Sequence, residues 1–304
     1  MEKRIDLSII ILNYNTCDLL KQCLTSIEKT KKGKLAIEVL VVDNCSEDSS
    51  CEMVKKDFPL VRLLENKTNV GFAAGNNMAI PYSTGRYILF LNSDTIIPEE
   101  IFPEIIDFLD QNQKVGALTV KLVLRSGDID PDCHRGFPSP WASLTYFTGL
   151  EKLFPNSRLF GRYHQSFLPL NQVHEIDSAC GAFLVFRREA LDEIKGFDES
   201  YFFYGEDIDL CFRLKEKGWK LIYYPKIEVI HYKGASSGLR RETEDIVKAD
   251  RETRLKSARA SIQAMKIFYN KFYKDKYPSI FTAIILAGIQ AKGWLRYLSH
   301  ALKS

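Results

Sequence analysis

Short apolar runs alternate with stretches of helical spacing through the first 125 residues, and that rhythm most narrows what the chain can fold into. LSIIIL (7–12), IEVLVVD (37–43), VRLLEN (61–66), YILFLN (87–92) and VGALTVKLV (115–123) read as strands. Runs that are apolar at every position, rather than at every second one, belong to strands buried on both faces. Between them, TCDLLKQCLTSIEKT (16–30) sets Leu19, Leu20, Cys23, Leu24 and Ile27 on one helical face. SEDSSCEMVKKD (46–57) opens with serines and acidic residues, as a helix start does, and further helices are expected near 74–83 and 98–111. Strand–helix alternation of this kind predicts an α/β fold with a mainly parallel, doubly wound, Rossmann-like sheet. Its ligand should lie at the carboxyl ends of the strands.

The polar residues at those ends are therefore the first candidates for function. Residues 7–12 run into Asn13-Tyr14-Asn15, residues 37–42 into Asp43-Asn44, and residues 87–91 into Asn92-Ser93-Asp94. No Gly-x-Gly-x-x-Gly follows the first strand and no Gly-Lys-Ser/Thr occurs, which disfavours a dinucleotide site and a Walker-type phosphate loop. A nucleotide bound here needs side chains and a metal. Asp43 and Asp94 can each be explained as helix caps, but Asn92 and Asp94 flank one position after a buried strand and can aim at one Mg2+ or Mn2+, which takes one or two carboxylates plus substrate phosphates. In NVGFAAGNN (69–77), Gly71 and Gly75 bracket a helix start among Asn69, Asn76 and Asn77: a tight turn, or a place where backbone approaches a ligand.

Beyond residue 123 the rhythm breaks. Residues 124–175 are turn-rich and then aromatic without period, the pattern of a lid or binding loop, with His134, Arg135 and Trp141 as candidates for contact. Regularity returns in ACGAFLVFRREALDEI (179–194), a strand running into a helix, followed by an aromatic loop at 201–204, a helix from 206 to 217, and strands at 219–224 and 227–231. In GFDESYFFYGEDIDLCFRL the helical stripe from Asp207 takes in Leu210, Cys211 and Leu214, which places Asp207 on the inward side of a helix N-terminus, positioned to cap or to act as a general base. Asp209 and Arg213, four apart, read as a surface pair. His231 ends the last strand, either as a structural histidine or as a further ligand for a metal at Asp94.

Composition excludes more than it selects. A net charge of +3 on 304 residues is too small to suggest nucleic-acid binding, but residues 240–304 carry 14 Lys/Arg against 6 Asp/Glu, a net +8, which leaves −5 on the rest. Seven scattered cysteines without a Cys-x-x-Cys pair point away from a zinc site or a disulfide framework. MEKRIDLSIIILNYN does not read as a signal peptide, and no 18-residue apolar run occurs, so a reduced, cytoplasmic protein is expected.

These motifs in order, IILNYN, VVDNCSEDSS, NVGFAAGNN, FLNSDT, CGAFLVFRREAL, GFDESYFFYGEDIDLCFRL and GW…YYP…VIHYKGASS, resemble the family 2 glycosyltransferases, in their rhamnosyltransferase-like branch, from about Leu7 to Ser237. The resemblance implies an A-type glycosyltransferase fold that inverts the anomeric centre with a nucleotide-diphosphate sugar and a divalent metal. It implies a catalytic domain over 1–239, with a nucleotide-sugar half to about 125 and an acceptor half after it. Carried over by position, Asn13, Asn15, Asp43, Asn69, Gly71, Asn76, Asn92 and Ser93 would bind the nucleotide sugar, with Asp43 reading the pyrimidine imide. Asp94 would hold Mn2+ or Mg2+ with His231, Asp207 would be the base, and Glu206 beside it would meet the acceptor. The family's Asp-x-Asp is here Asn92-Ser93-Asp94, so one ligand charge is missing. The implied donor is dTDP-L-rhamnose or another pyrimidine-nucleotide hexose, and the implied acceptor a glycan or lipid-linked saccharide of a surface polysaccharide.

Two other classes stay open. A sugar nucleotidyltransferase would want a Gly-rich signature after the first strand, where LNYNTCD stands. A degenerate glycan-binding scaffold would have lost a base or metal residue, whereas Asp94, Asp207 and His231 are present. The basic extension, 240–304, reads as two helices parted near Pro278, the second (SIFTAIILAGIQAKGWLRYL, 279–298) apolar with Trp294, Arg296 and Tyr297 near its end. It can pack on the catalytic domain, pair with a second subunit as a homodimer, or lie peripherally on an anionic inner membrane face.

Overall fold

The computed structural model describes residues 4–234 and 251–301. The first strand, β1 (Leu7–Asn13), ends where its apolar run ends and lies between two parallel partners, β2 (Ile37–Asp43) and β4 (Tyr87–Asn92). β2 pairs in parallel with β3 (Arg62–Glu65). Register sets Asn13 opposite Asp43 and Leu12 opposite Asn92, so the polar ends of three strands meet along one edge. Connecting helices α1 (Cys17–Glu28), α2 (Ser50–Asp57) and α3 (Phe72–Ala79) join these strands, and α1 buries the face read from its spacing. α3 begins and ends earlier than expected and passes into a 3-10 turn at Ile80–Tyr82, because Pro81 has no N–H to extend the helix.

After the short β5 (Thr95–Ile96) come α4 (Ile101–Gln111), β6 (Val115–Leu124), β7 (His174–Ile176), β8 (Phe183–Arg187) and β9 (Lys220–His231). Strand order is β3-β2-β1-β4-β8-β6-β9-β5, with β7 pairing on β9. β8 enters antiparallel between β4 and β6, a reversal that an apolar run cannot signal. The two strands expected at 219–224 and 227–231 are one. Val120 of β6 opposes Tyr224, the next residue Lys121 opposes Glu228, and the intervening bulge takes up Pro225, which cannot donate to a ladder. The far end of β9 sets His231 beside both Leu124 of β6 and Thr95 of β5.

Residues 125–173 hold only short elements, a 3-10 turn at Pro131–Cys133 and the helices α5 (Pro140–Phe147) and α6 (Leu150–Leu153). They are nonetheless tied to the sheet. Asp130 N–H donates to the Leu122 carbonyl at 2.8 Å, and Arg135 and Ser178 exchange backbone hydrogen bonds at 3.0 and 2.8 Å.

α7 (Arg188–Ile194) and α8 (Glu206–Glu216) complete the domain, and α9 (Arg251–Phe272) and α10 (Ser279–Ala301) form the extension. The proposed boundary at 239/240 lies outside the described residues. α9 packs on α8: Phe212 meets the rings of Phe268, Phe272 and Tyr273. Asp209 corrects an expectation here. It is fully buried rather than on the surface, paired with Arg213 as its spacing implies but also with Lys271 of α9 at 2.7 Å.

Candidate active site

The edge formed by β1, β2 and β4 is a network of neutral donors around one carboxylate. Asn13 Nδ2 donates to Asp43 Oδ1 at 2.9 Å and to Ser46 Oγ at 3.1 Å, and the Ser46 N–H donates to Asp43 Oδ2 at 2.8 Å. Thr16 Oγ1 donates to Asn13 Oδ1 at 2.6 Å and lies 2.9 Å from the Ser93 hydroxyl. Both N–H groups of the Asn13 amide are thus committed to the protein. Asn13 fixes Asp43, whose oxygens retain lone pairs for a ligand. Asn15 is exposed at a positive φ of 52°, a conformation asparagine tolerates, and its side chain accepts from the Glu47 N–H at 2.7 Å.

Asn44 organises the next loop and was not singled out as a site residue. Its amide donates to Asn69 Oδ1 and the Gly71 carbonyl, and its oxygen accepts from Val70 N–H and Asn66 Nδ2. Only its place beside Asp43 at a strand end could have flagged it. Gly71 has φ 89°, and a Cβ there would lie 2.5 Å from the Phe202 carbonyl oxygen. The close backbone approach read from sequence is therefore made by the aromatic loop ahead of α8, whose Phe202 carbonyl also accepts the Phe72 N–H at 2.8 Å. Asn76 is buried and donates to Phe72 within its own helix, whereas its neighbour Asn77 clamps the Phe197 backbone from both sides.

Asp94 follows β4 and is buried where β5 meets β9. Its backbone carbonyl accepts the Tyr232 N–H at 2.9 Å, and its Oδ1 lies 3.4 Å from His231 Nε2. His231 Nδ1 lies 2.9 Å from Asp130 Oδ2. Burial disfavours the imidazolium, but Asp94 and Asp130 outweigh it and raise the His231 pKa to about 9. A carboxylate on the far nitrogen of a histidine fixes its tautomer and orientation, the usual arrangement behind a metal-ligating histidine. Asn92 is half-buried at the strand end one residue before Ser93. Once His231 gives up its proton, Asp94 and His231 would form a donor pair for a divalent cation completed by diphosphate oxygens. No cluster of three or more His, Cys, Asp or Glu side chains able to hold a metal occurs among the described residues.

Beyond Asp130 the charges continue to alternate. Lys233 bridges Asp130 and Asp132, Arg135 Nη1 lies 3.4 Å from Asp132 Oδ1, and Arg135 Nη2 donates to Asp207 Oδ2 at 3.0 Å. Burial would raise the Asp130 carboxyl, but His231 and Lys233 hold it well below the usual range. Asp130, Asp132 and Lys233 were not among the expected site residues. They come from a turn and a strand end whose meeting is set by pairing between distant segments, and the only local hint was an Asp-Pro-Asp turn leading to Arg135.

Asp207 sits in the first turn of α8, after Gly205 at φ 85°, where the helix dipole favours a negative charge. Its side chain is 14% exposed, so it lies at the margin of the interior rather than in the core, while Glu206 and Asp209 take the buried positions. Burial raises the Asp207 pKa and Arg135 opposes the rise. Glu206 is raised by burial and then by the charge of Asp207. The two carboxyls therefore titrate as a pair that favours one proton between them. His134 and Trp141 have other partners: His134 lies against His174 and Tyr223, and Trp141 Nε1 donates to the Leu159 carbonyl.

This fold has known counterparts. The mannosyltransferase PcManGT from Pyrobaculum calidifontis, solved in complex with GDP-Man and Mn2+, superposes with a TM-score of 0.58 at 19% identity over 99% of this chain and 74% of that one. The fold is the A-type glycosyltransferase fold. Residues 8–195 match the Glycosyl transferase family 2 domain, and the chain belongs to that family. Residues 161–235 also match the domain described as the N-terminal domain of galactosyltransferase. Over 243 residues, 76% of this chain and 78% of the relative, it is 27% identical to the N-acetylglucosaminyl-diphospho-decaprenol L-rhamnosyltransferase of Mycobacterium tuberculosis. Over 174 residues, 53% and 61% of the two chains, it is 27% identical to the rhamnosyltransferase WbbL of Escherichia coli K12.

Proposed function

We propose that this glycosyltransferase is an inverting hexosyltransferase that moves L-rhamnose from dTDP-L-rhamnose, or another hexose from a pyrimidine nucleotide, to a lipid-linked saccharide or glycan in surface-polysaccharide synthesis. The observation that carries the chemistry is Asp207, a partly exposed carboxylate at the start of α8 held by Arg135. Support for the sugar and the acceptor comes from the relatives' names, above all the mycobacterial enzyme, whose acceptor is a diphospho-decaprenol saccharide.

In this reading Asp43, fixed by Asn13 and Ser46, reads the base, and the loop built on Asn44, Asn69 and Gly71 shapes the nucleotide side. Asp94 and His231 would hold Mn2+ or Mg2+, which when bound neutralises charge on the departing diphosphate. Asp207 takes the proton from the acceptor hydroxyl as its oxygen bonds to the anomeric carbon and the carbon–diphosphate bond breaks. Attack from the opposite face needs no covalent intermediate, and its cost is reduced by alignment of the two substrates.

The proposed place of action is the cytoplasmic face of the membrane. No helix among the described residues is long and apolar enough to cross a membrane. α10, however, exposes Ile280, Phe281, Ile284 and Trp294, and residues 251–301 carry ten Lys/Arg against two Asp/Glu, a composition suited to an anionic lipid surface. Co-sedimentation with anionic vesicles should be lost on changing Ile280 and Ile284 to Asp. Unchanged sedimentation, or a dimer that the same changes dissociate, would transfer that face to a second copy of the chain.

Calorimetric titration with dTDP, UDP and GDP, with and without Mn2+, tests the donor side. Metal-enhanced binding of dTDP or UDP is expected. A preference for GDP would remove Asp43 from base reading, and absence of all three would favour a glycan-binding scaffold.

A further inference from the structure

We propose that Arg135 is the positioning residue of the base, holding the Asp207 carboxylate in orientation and in its ionised form from a site outside the family motifs quoted above. This inference rests on the reading of Asp207 as the base.

Arg135 is built into the interior before it reaches Asp207. Its own backbone exchanges two hydrogen bonds with Ser178, the following N–H, from Gly136, donates to the Tyr163 carbonyl at 2.8 Å, and the preceding side chain, His134 Nδ1, faces the His164 carbonyl at 3.0 Å. The guanidinium is only 9% exposed and is shared between Asp132 and Asp207. A cation so buried and so paired is not arranged to reach out to a phosphate in solvent. It fixes what it touches. With Oδ2 held by Arg135 and Oδ1 accepting the Ile208 N–H at 2.8 Å, the plane of the carboxylate is set, and each oxygen keeps a lone pair that can take a proton.

The charge matters as much as the geometry. Asp207 is surrounded by groups that favour its neutral form or add nothing: Glu206 and Cys211 from its own helix, Asp132 from the 3-10 turn, and Tyr163 from the loop after α6. Among the described residues Arg135 is the cation paired with it. Lys233 lies one step further away, behind Asp132. With the guanidinium gone, nothing in contact would offset the burial of Asp207, the proton that the pair shares would no longer be kept on Glu206, and the base would be blocked by it.

The test is the titration of the Asp207 carboxyl by carbon-13 NMR, assigned by its loss in Asp207→Asn, together with the pH profile of kcat/KM using dTDP-L-rhamnose as the probe donor. In Arg135→Gln the midpoint and the acid limb of the profile should move up by at least one pH unit, an approximately tenfold smaller ionised fraction on the acid side. Arg135→Lys, which keeps the charge, should restore most of the midpoint. An unmoved midpoint in a folded Arg135→Gln protein overturns the proposal while leaving the base assignment intact. Full turnover in Asp207→Asn overturns the base assignment itself, whatever the titration shows. Should Arg135→Gln not fold, melting of the Arg135→Gln/Asp207→Asn pair decides. Recovery of the fold in the double variant supports a charge pairing, and failure of both shows a packing role that ends the proposal.

Discussion

The proposed donor edge and the chain of buried charges that ends at Asp207 are assembled from opposite materials. Along β1, β2 and β4, amides and hydroxyls gather around Asp43, and each polar side chain lies at the end of the strand that carries it. In the second region, Asp94, His231, Asp130, Lys233, Asp132, Arg135 and Asp207 alternate in charge through the interior, carried by two strand ends, a turn and a helix start. A neutral network holds shape through direction, because hydrogen bonds are worth little when misaligned. A chain of buried charges holds protonation states as well, since removing one member leaves its neighbour uncompensated. The first is suited to recognising a ligand and the second to moving a proton.

The comparison breaks most easily at the base. Asp207→Asn keeps the size and much of the hydrogen bonding of the side chain, and transfer should fall by roughly 10²- to 10⁴-fold with nucleotide affinity unchanged. Steady-state rates beside calorimetric titration would check it, and near-normal turnover would take Asp207 out of the mechanism. Next in size is the support behind the metal pair. Asp130→Asn loosens His231 from its fixed tautomer and should weaken Mn2+ affinity by about 10- to 100-fold, read as the loss of metal-enhanced dTDP binding. If affinity is unaltered, His231 is not a ligand.

On the donor edge the effects should be smaller and insensitive to pH. Asn13→Ala leaves Asp43 and Thr16 without their partner, which costs roughly 1–3 kcal/mol, shared between thermal stability and nucleotide affinity. A pH-dependent loss would show that this edge, too, is governed by charge. The smallest change is expected at Lys271, which reaches Asp198 and Asp209 from α9. Burial of Asp198 is outweighed by Lys271 and Ser200, so its folded pKa falls from 3.8 to about 2. A depressed carboxyl contributes stability above its unfolded pKa and loses it as the pH falls through the folded value. The share of the melting difference between wild type and Lys271→Ala that comes from Asp198 should therefore be present at about pH 5 and shrink toward about pH 2, and that share is modest because Asp198 and Lys271 are both partly exposed.

This contrast also explains what the sequence discloses. Asn13, Asp43, Asn92 and Asp94 can be read because a strand of uniform apolar character has a visible end, and parallel register brings such ends together without further information. Asp207 can be read from its place in a helix start. Arg135, Asp130 and Lys233 cannot be linked by any spacing rule: their meeting depends on β9 running beside β6 past the bulge at Pro225 and on a backbone bridge from Arg135 to Ser178. The antiparallel entry of β8 is hidden for the same reason, since a fully buried strand looks alike in either direction. Asp209 was misplaced because an Asp–Arg pair four residues apart is normally on a surface, and nothing nearby announces that Lys271 will cover it.

That cover has a consequence for how the molecule can be divided. The run of motifs read from the sequence ends near Ser237, and a cut there looks like a natural place to trim the protein. Such a cut would strip the side of α8 away from the base, leaving an interior carboxylate at Asp209 without Lys271 and a bare aromatic face at Phe212. The helix that presents Asp207 is thus braced from behind by a segment that shares no motif with the active site. A fragment that keeps this bracing has to run past Tyr273, so the unit that supports α8 is longer than the run of motifs that carries its candidate base.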